Sequence, residues 1–178
     1  MTAFPVLTDG VIELRVLEAS DAECLIAGQD DDVIRLLTGT RFSLAEAVEW
    51  IESVRECWTE GRHRRNFGIW ASDKLIGGID AHTGWTMVQG IEQGDANIAF
   101  WLAPRGRGFG YAPRAVRLVC QYLGGLEVAR AIIRTRCGND AANRVAERAG
   151  CTRLDAAGDE LQRWSFLLAQ PSRGAPEA

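Results

Sequence analysis

Residues 101–112 read W-L-A-P-R-G-R-G-F-G-Y-A, an apolar strand running into alternating arginine and glycine and then into a helix. A loop built this way can turn several backbone N–H groups toward one anion. Gly106, Gly108 and Gly110 permit close approach and unusual φ angles. The helix that follows adds unpaired N–H groups and the positive end of its dipole. The chemistry this implies is phosphate binding. No lysine follows the glycines, so the loop is not the G-x-x-x-x-G-K-[ST] of nucleotide triphosphatases. Nor is it G-x-G-x-x-G opening a βαβ unit, the dinucleotide fingerprint.

Proton-carrying groups are few. His63 and His82 are the two histidines of the chain, and neither stands at ligand spacing from a cysteine or the other histidine, so no metal site is expected. Alternation puts Asp80 and His82 on one face of a strand, and histidine has the ordinary pKa best suited to a base near neutrality. Glu92 and Asp95 are acidic residues ahead of the next strand and read as solvated. Arg62-His63-Arg64-Arg65 is the one basic cluster and reads as a solvated loop after a helix. Asp30-Asp31-Asp32 reads as the cap of a short helix. Of six tryptophans, Trp85 in a glycine-bearing loop is the candidate for facing a substrate, whereas Trp50, Trp58 and Trp70 read as core.

The elements that must position these groups follow from periodicity. Alternation predicts strands over 11–16, 67–71, 75–81, 96–102, 128–135 and 161–168, with 151–156 pairing beside the last. Ser20 with Glu23 and Ser43 with Glu46 are S-x-x-E capping boxes, the first opening a short helix that stops near Gly28. In the second, Leu44, Ala47, Val48, Ile51 and Trp58 share a face, and Gly61 ends it. Helices are also expected over 111–123, where Pro113 lies in the first turn, and over 139–149, closed by Gly150. The sum is one mixed α/β sheet with helices on its faces: a single domain over 1–169 and a flexible tail over 170–178.

Arg105-Gly106-Arg107-Gly108-Phe109-Gly110 matches R/Q-x-x-G-x-G/A and resembles the coenzyme A pyrophosphate motif of the GNAT N-acetyltransferases. The strand A-N-I-A-F-W-L-A-P before it is similar to its family counterpart. So is the helix from Asn139, N-D-A-A-N-R-V-A-E-R-A-G-C, against N-x-x-S-x-R-V-x-E-x-x-G-F. The start I-E-L-R-V-L-E-A-S-D-A-E and the hairpin F-G-I-W-A-S-D-K-L-I-G-G-I carry the likeness to residues 11–168. It lies nearest the ribosomal-protein (RimJ/RimL-like) N-terminal acetyltransferases. The resemblance implies a mostly antiparallel sheet with helices on both faces and a splay between the two central strands. Acetyl-CoA would lie in that splay as co-substrate. Phe100, Trp101 and Leu102 would offer backbone groups to the pantetheine amides, and the N–H groups of Arg107, Gly108, Phe109, Gly110 and Tyr111 would hold the pyrophosphate. Arg105 and Arg107 would add charge, or be solvated, and Asn139 and Asn143 would bond the pantetheine arm, or serve as cap and exposed amide.

The chain departs from its relatives where protons move. A tyrosine acid is common at the position of Ala146, a serine at Ala142 and a glutamate base at Asn97. An α-amine with pKa near 8 is about a tenth neutral at pH 7, whereas a lysine amine is less than about a thousandth neutral. The missing groups therefore favour an α-amine of a protein or peptide, unless His82 and Asp80 supply a base beside Asn97. A small-molecule amine acetyltransferase, for an aminoglycoside, polyamine or antibiotic, and a degenerate acyl-CoA-binding module are the alternatives.

Composition bounds the rest. The chain has 178 residues, 47% hydrophobic and 25% charged, with net charge −4. That argues against nucleic-acid or membrane-surface partners. No apolar run approaches a membrane span, and residues 1–11 do not read as a signal peptide. Five scattered cysteines read as reduced thiols. The expectation is a cytoplasmic monomer or homodimer whose partners are acetyl-CoA and an amine.

Overall fold

The computed structural model describes residues 4–84, 91–126, 128–154 and 161–168. Trp85, Gly90 and the tail over 170–178 lie outside the described residues. The strands are β1 (Leu7–Thr8), β2 (Glu13–Arg15), β3 (Arg64–Ala71), β4 (Lys74–Thr83), β5 (Asp95–Leu102), β6 (Arg130–Arg136), β7 (Thr152–Leu154) and β8 (Leu161–Leu167). They form one eight-stranded sheet in the order β1-β2-β3-β4-β5-β6-β8-β7. All neighbours are antiparallel except β5 and β6.

The helices are α1 (Ala22–Ala27), α2 (Asp31–Val33, which widens into a π-type turn over Ile34–Thr38), α3 (Leu44–Thr59), α4 (Tyr111–Gly124) and α5 (Asp140–Ala149). The larger core lies under α4 and α5, where Phe67, Ile79, Ile98, Ile133, Val116, Leu123 and Ala146 meet. A smaller one, with Leu17, Leu25, Ala47, Ile51 and Leu75, lies under α1 and α3 on the other side. Alternation along each strand decides which side a residue serves. In β4, Ile79 and Ala81 enter the larger core, which leaves Asp80 and His82 for the opposite face.

Ser72 and Asp73, with φ of 47° and 56°, make the tight β3–β4 turn, and left-handed central residues suit a two-residue hairpin. The second capping box forms as expected: Ser43 Oγ accepts from the Glu46 amide and Glu46 Oε2 accepts from the Ser43 amide at 2.8 Å.

Several expectations are corrected. The first capping box is Glu18 with Asp21, not Ser20 with Glu23, because a 3-10 turn over Ala19–Asp21 moves the cap upstream of α1. Leu44 is 49% exposed, since the buried stripe of α3 runs through Ala47, Ile51 and Val54. β1 was not expected, being too short to show a period. Arg64 and Arg65 belong to β3 and not to a solvated loop. β2 pairs only with Gly68–Trp70, so the start of β3 has a bare edge. Trp58 covers it, its indole Nε1 donating to the Asn66 carbonyl at 3.2 Å.

Candidate active site

β5 and β6 run together from Asp95↔Arg130 to Ile98↔Ile133 and then part. Beyond that fork, residues 99–102 of β5 keep β4 on one side and have a cleft on the other. A peptide-like chain can use such an edge as an added strand would. The cleft has a volume of about 890 Å³. Phe100, Trp101 and Leu102 line it from β5, Asn139 and Ala142 from α5, and Arg107 from the glycine loop.

The loop divides labour among its glycines. Gly106 is packed so closely on β4 that a Cβ would lie 3.0 Å from the Ile76 Cβ, which anchors the loop to the sheet. Gly108 and Gly110 have φ of +86° and +76° with open space around them. That left-handed backbone favours glycine. Gly110 is the N-cap of α4 and no side chain caps that helix, whereas Ser43 and Asn139 cap α3 and α5. The amides of the first turn have no intrahelical acceptor and stand at the cleft with the positive end of a four-turn helix. An uncapped terminus preceded by two left-handed glycines fits a diphosphate.

The arginines are placed differently from one another. Arg105 donates to the Leu75 carbonyl at 2.7 Å and so ties the loop to the sheet. Arg107 donates to the Leu102 carbonyl and forms a two-pronged pair with Asp30, at 2.7 and 2.8 Å. That pair joins the loop to the start of α2. Phe109 is 67% exposed and its ring stacks on Tyr111. The two asparagines also separate. Asn139 Oδ1 accepts from the Ala142 amide, which makes it a cap. Asn143 turns its carbonyl away from the cleft to Thr135 Oγ1 at 2.6 Å and Trp164 Nε1 at 3.2 Å. Ala146 is fully buried. From α5, Asp140, Ala141, Ala142 and Val145 line the cleft, and of these only Asp140, at the first position of the helix, is ionisable.

A second pocket of about 460 Å³ adjoins the first and shares Leu37, Asn97, Ala99, Trp101 and Arg134 with it. Its floor is the α1/α3 face of the sheet. Asp80 lies at its centre: Arg64 grips the carboxylate through Nε and Nη2, at 3.0 and 2.7 Å to Oδ2, and His82 Nε2 lies 3.0 Å from the same oxygen. Burial pushes the Asp80 carboxyl up, but the hydrogen bonds from His82 and Arg64 outweigh it and hold the group below the usual aspartate range. An ionised Asp80 accepts the Nε2 proton, which fixes the tautomer and leaves Nδ1 as the basic nitrogen. Asn97 pairs with His82 across β4–β5, and its Oδ1 accepts from Arg134 Nε at 3.2 Å at the fork.

The sequence put Asp80 and His82 on one strand face and singled out Asn97 separately; the β4–β5 register brings the three together, with Arg64, Arg134, Gln29 and Trp50, which the sequence missed, in the same pocket. Trp50, expected in the core, is half-buried and lines the pocket, with Arg64 over its ring at 5.4 Å. Glu92 and Asp95 are no candidates for proton transfer. Both bind Arg130, and Asp95 is buried beneath it. Among the described residues no cluster of three or more metal-ligating side chains occurs, and no helix is long and apolar enough to cross a membrane.

A bare helix terminus stands beside a forked strand pair, and the cleft there adjoins a pocket that holds the imidazole of His82. Residues 12–152 match the acetyltransferase (GNAT) domain family. The chain belongs to the GNAT acetyltransferases. It is an acyl-CoA-dependent N-acyltransferase, with acetyl-CoA as the acyl donor. Solved GNAT structures share the fold. One is the ribosomal-protein α-N-acetyltransferase RimL bound to coenzyme A, with 15% identity, TM-score 0.78, and 94% of this chain and 100% of that one covered. Another is the microcin C7 self-immunity acetyltransferase MccE with acetyl-CoA and AMP, with 17% identity, TM-score 0.71, and 89% and 93% covered. A third is an aminoglycoside acetyltransferase with coenzyme A, with 19% identity, TM-score 0.70, and 88% and 94% covered. No curated protein matches the chain. These GNAT relatives are named for different acceptors.

Proposed function

We propose that this acetyltransferase acts on a primary α-amine, of the kind found at a protein or peptide N-terminus, and that His82 is its base. The observation that carries the reading is the Arg64–Asp80–His82 chain in the pocket that meets the coenzyme cleft. Acetyl-CoA, when bound, supplies the activated acyl group. The N–H groups of residues 108–111 hold its diphosphate, and the backbone of Phe100, Trp101 and Leu102 aligns its pantetheine arm.

The incoming ammonium must lose one proton before its lone pair can attack a thioester. His82 Nδ1 takes it, and Asp80 steadies the imidazolium through Nε2. An α-amine, with an ordinary pKa near 8, gives up its proton more readily than a lysine amine near 10.4 and so asks less of a base. Arg64 keeps Asp80 ionised for this task. Asn97 holds Arg134 at the fork between donor and acceptor.

The test is thiol release from acetyl-CoA with four acceptor classes: short peptides with free N-termini, the same peptides N-blocked with one lysine, polyamines and aminoglycosides. The free N-terminal peptides should be turned over best. Release confined to the polycations would overturn the proposal. Tight coenzyme binding with no release for any amine would make the chain a binding module.

A further inference from the structure

We propose that the acceptor carries a carboxylate near its amine, and that Arg134 is the residue that recognises it. This deepens the acceptor assignment above and rests on the second pocket being the acceptor site.

Four charged or titratable side chains line that pocket: Arg64, Asp80, His82 and Arg134. Asp80 is matched by Arg64 and His82. Arg134 is matched by nothing of opposite sign. Its guanidinium bonds a neutral partner, the Asn97 side-chain carbonyl, through Nε. Among the described residues no carboxylate lies within ion-pair distance of it. Burial holds the Arg134 pKa below its ordinary value with no opposing charge to lift it. Arg130, four residues earlier on the same strand and the same face, is raised by its hydrogen bond to Asp95 and by the charges of Asp95 and Glu92. β6 thus presents one arginine neutralised within the protein and one left for something else.

The position suits a specificity role. The last β5–β6 pair is Ile98↔Ile133, so Arg134 is the first β6 residue past the fork, where the coenzyme cleft and the acceptor pocket meet. Nε is engaged by Asn97, which orients the guanidinium and leaves the other N–H groups as donors. Arginine presents planar, paired donors that fit a carboxylate in two-pronged fashion. A net positive pocket also repels polyamines and aminoglycosides, whose many ammonium groups would meet Arg134 and an already satisfied Asp80.

Two buried amides flank the pocket. Gln29 and Asn66 line it and are 4% and 5% exposed, and the side-chain oxygen of each lacks a hydrogen-bond partner. The pocket therefore offers a base for the amine and, in Arg134, a guanidinium that has no carboxylate partner among the described residues.

The carboxylate has two chemical sources: the α-carboxylate of a free amino acid, or an Asp or Glu side chain at the start of a peptide. Two arms separate them. The first compares α-amino acids with their α-carboxamides. The second compares C-terminally amidated peptides beginning with, or having second, Asp or Glu against the Asn or Gln counterparts. Each probe is titrated against the protein saturated with coenzyme A, following tryptophan fluorescence and calorimetry, and each is then assayed for thiol release from acetyl-CoA. In one arm the acid should bind about 10- to 100-fold more tightly than its amide, the range of a charge-assisted hydrogen-bond pair. At saturating coenzyme A, Arg134→Gln should erase that preference, and Arg134→Lys should restore part of it. Equal binding of acid and amide in both arms, no binding of either, or a preference that survives Arg134→Gln each overturns the inference. Acid-selective binding without thiol release would uphold the carboxylate and sink α-amine transfer. Release with no acid preference would do the reverse.

Discussion

Gly108 can be tested apart from the fold, because a Cβ there meets no atom within 4 Å while φ is +86°. Gly108→Ala should cost only the left-handed strain, about 1–2 kcal/mol by chemical denaturation. Gly108→Asp should bring the same strain and also abolish coenzyme A binding in calorimetry, because a carboxylate would face the diphosphate. Affinity equal to wild type in the Asp variant would remove the loop from the coenzyme site. At His82 the expectation concerns pH. A base must be neutral to accept a proton, so the rate should fall on the acidic side, and His82→Ala should remove that limb of the pH–rate profile. An unaltered profile would dismiss His82. Both residues were legible in the sequence, the glycine from its spacing and the histidine from strand alternation. Arg134 was not legible as a site residue, since an arginine on a strand reads the same whether or not a carboxylate lies beside it.

Helix ends tell two stories in this molecule. Ser43 closes α3 with a reciprocal cap, and Ser43→Ala should cost about 1 kcal/mol in urea denaturation. Coenzyme affinity should stay unchanged, because α3 lies on the acceptor side of the sheet. A large loss of affinity would show that the two faces are coupled. No side chain caps α4 at Gly110, which leaves its first amides for the diphosphate of the proposed coenzyme site. Apolar periodicity made α3, α4 and α5 legible, and Gly150, with φ +97°, stops α5 where a glycine was expected. Of the short elements, α2 was legible from its Asp30 cap, whose side chain accepts from the Val33 amide, whereas β1, with two residues, is shorter than a period can reveal. The cap of α1 was misread because two acidic or hydroxyl pairs lie at the required spacing, and the 3-10 turn selected between them.

Across the whole molecule, three aspartates join distant parts of the chain and set its behaviour in acid. Burial raises the Asp9 carboxyl, but hydrogen bonds from Arg114 and the Val11 and Ile12 amides leave it lowered, and the pair ties the β1–β2 loop to α4. A hydrogen bond from Arg107 lowers Asp30, which ties α2 to the glycine loop. Asp80, raised by burial and lowered further by His82 and Arg64, ties β4 to β3. A carboxylate lowered by folding stabilises the native state above its unfolded pKa, and that contribution is lost as pH falls through the folded value. The melting temperature should therefore hold from pH 7 to about 5 and decline below about 4, where free aspartate protonates. A melting temperature flat down to pH 3 would contradict these pairs. Local pattern determined the glycine loop and the main strands and helices, which are written in the spacing of near neighbours, and the resemblance of its motifs pointed to the family. Only the tertiary structure decided that Arg64 belongs to Asp80, that Asn143 faces inward, and that Arg134 stands unpaired where β5 and β6 separate. Those facts depend on which strands lie side by side, and residues 16 to 37 positions apart become partners through sheet register, which no local period encodes.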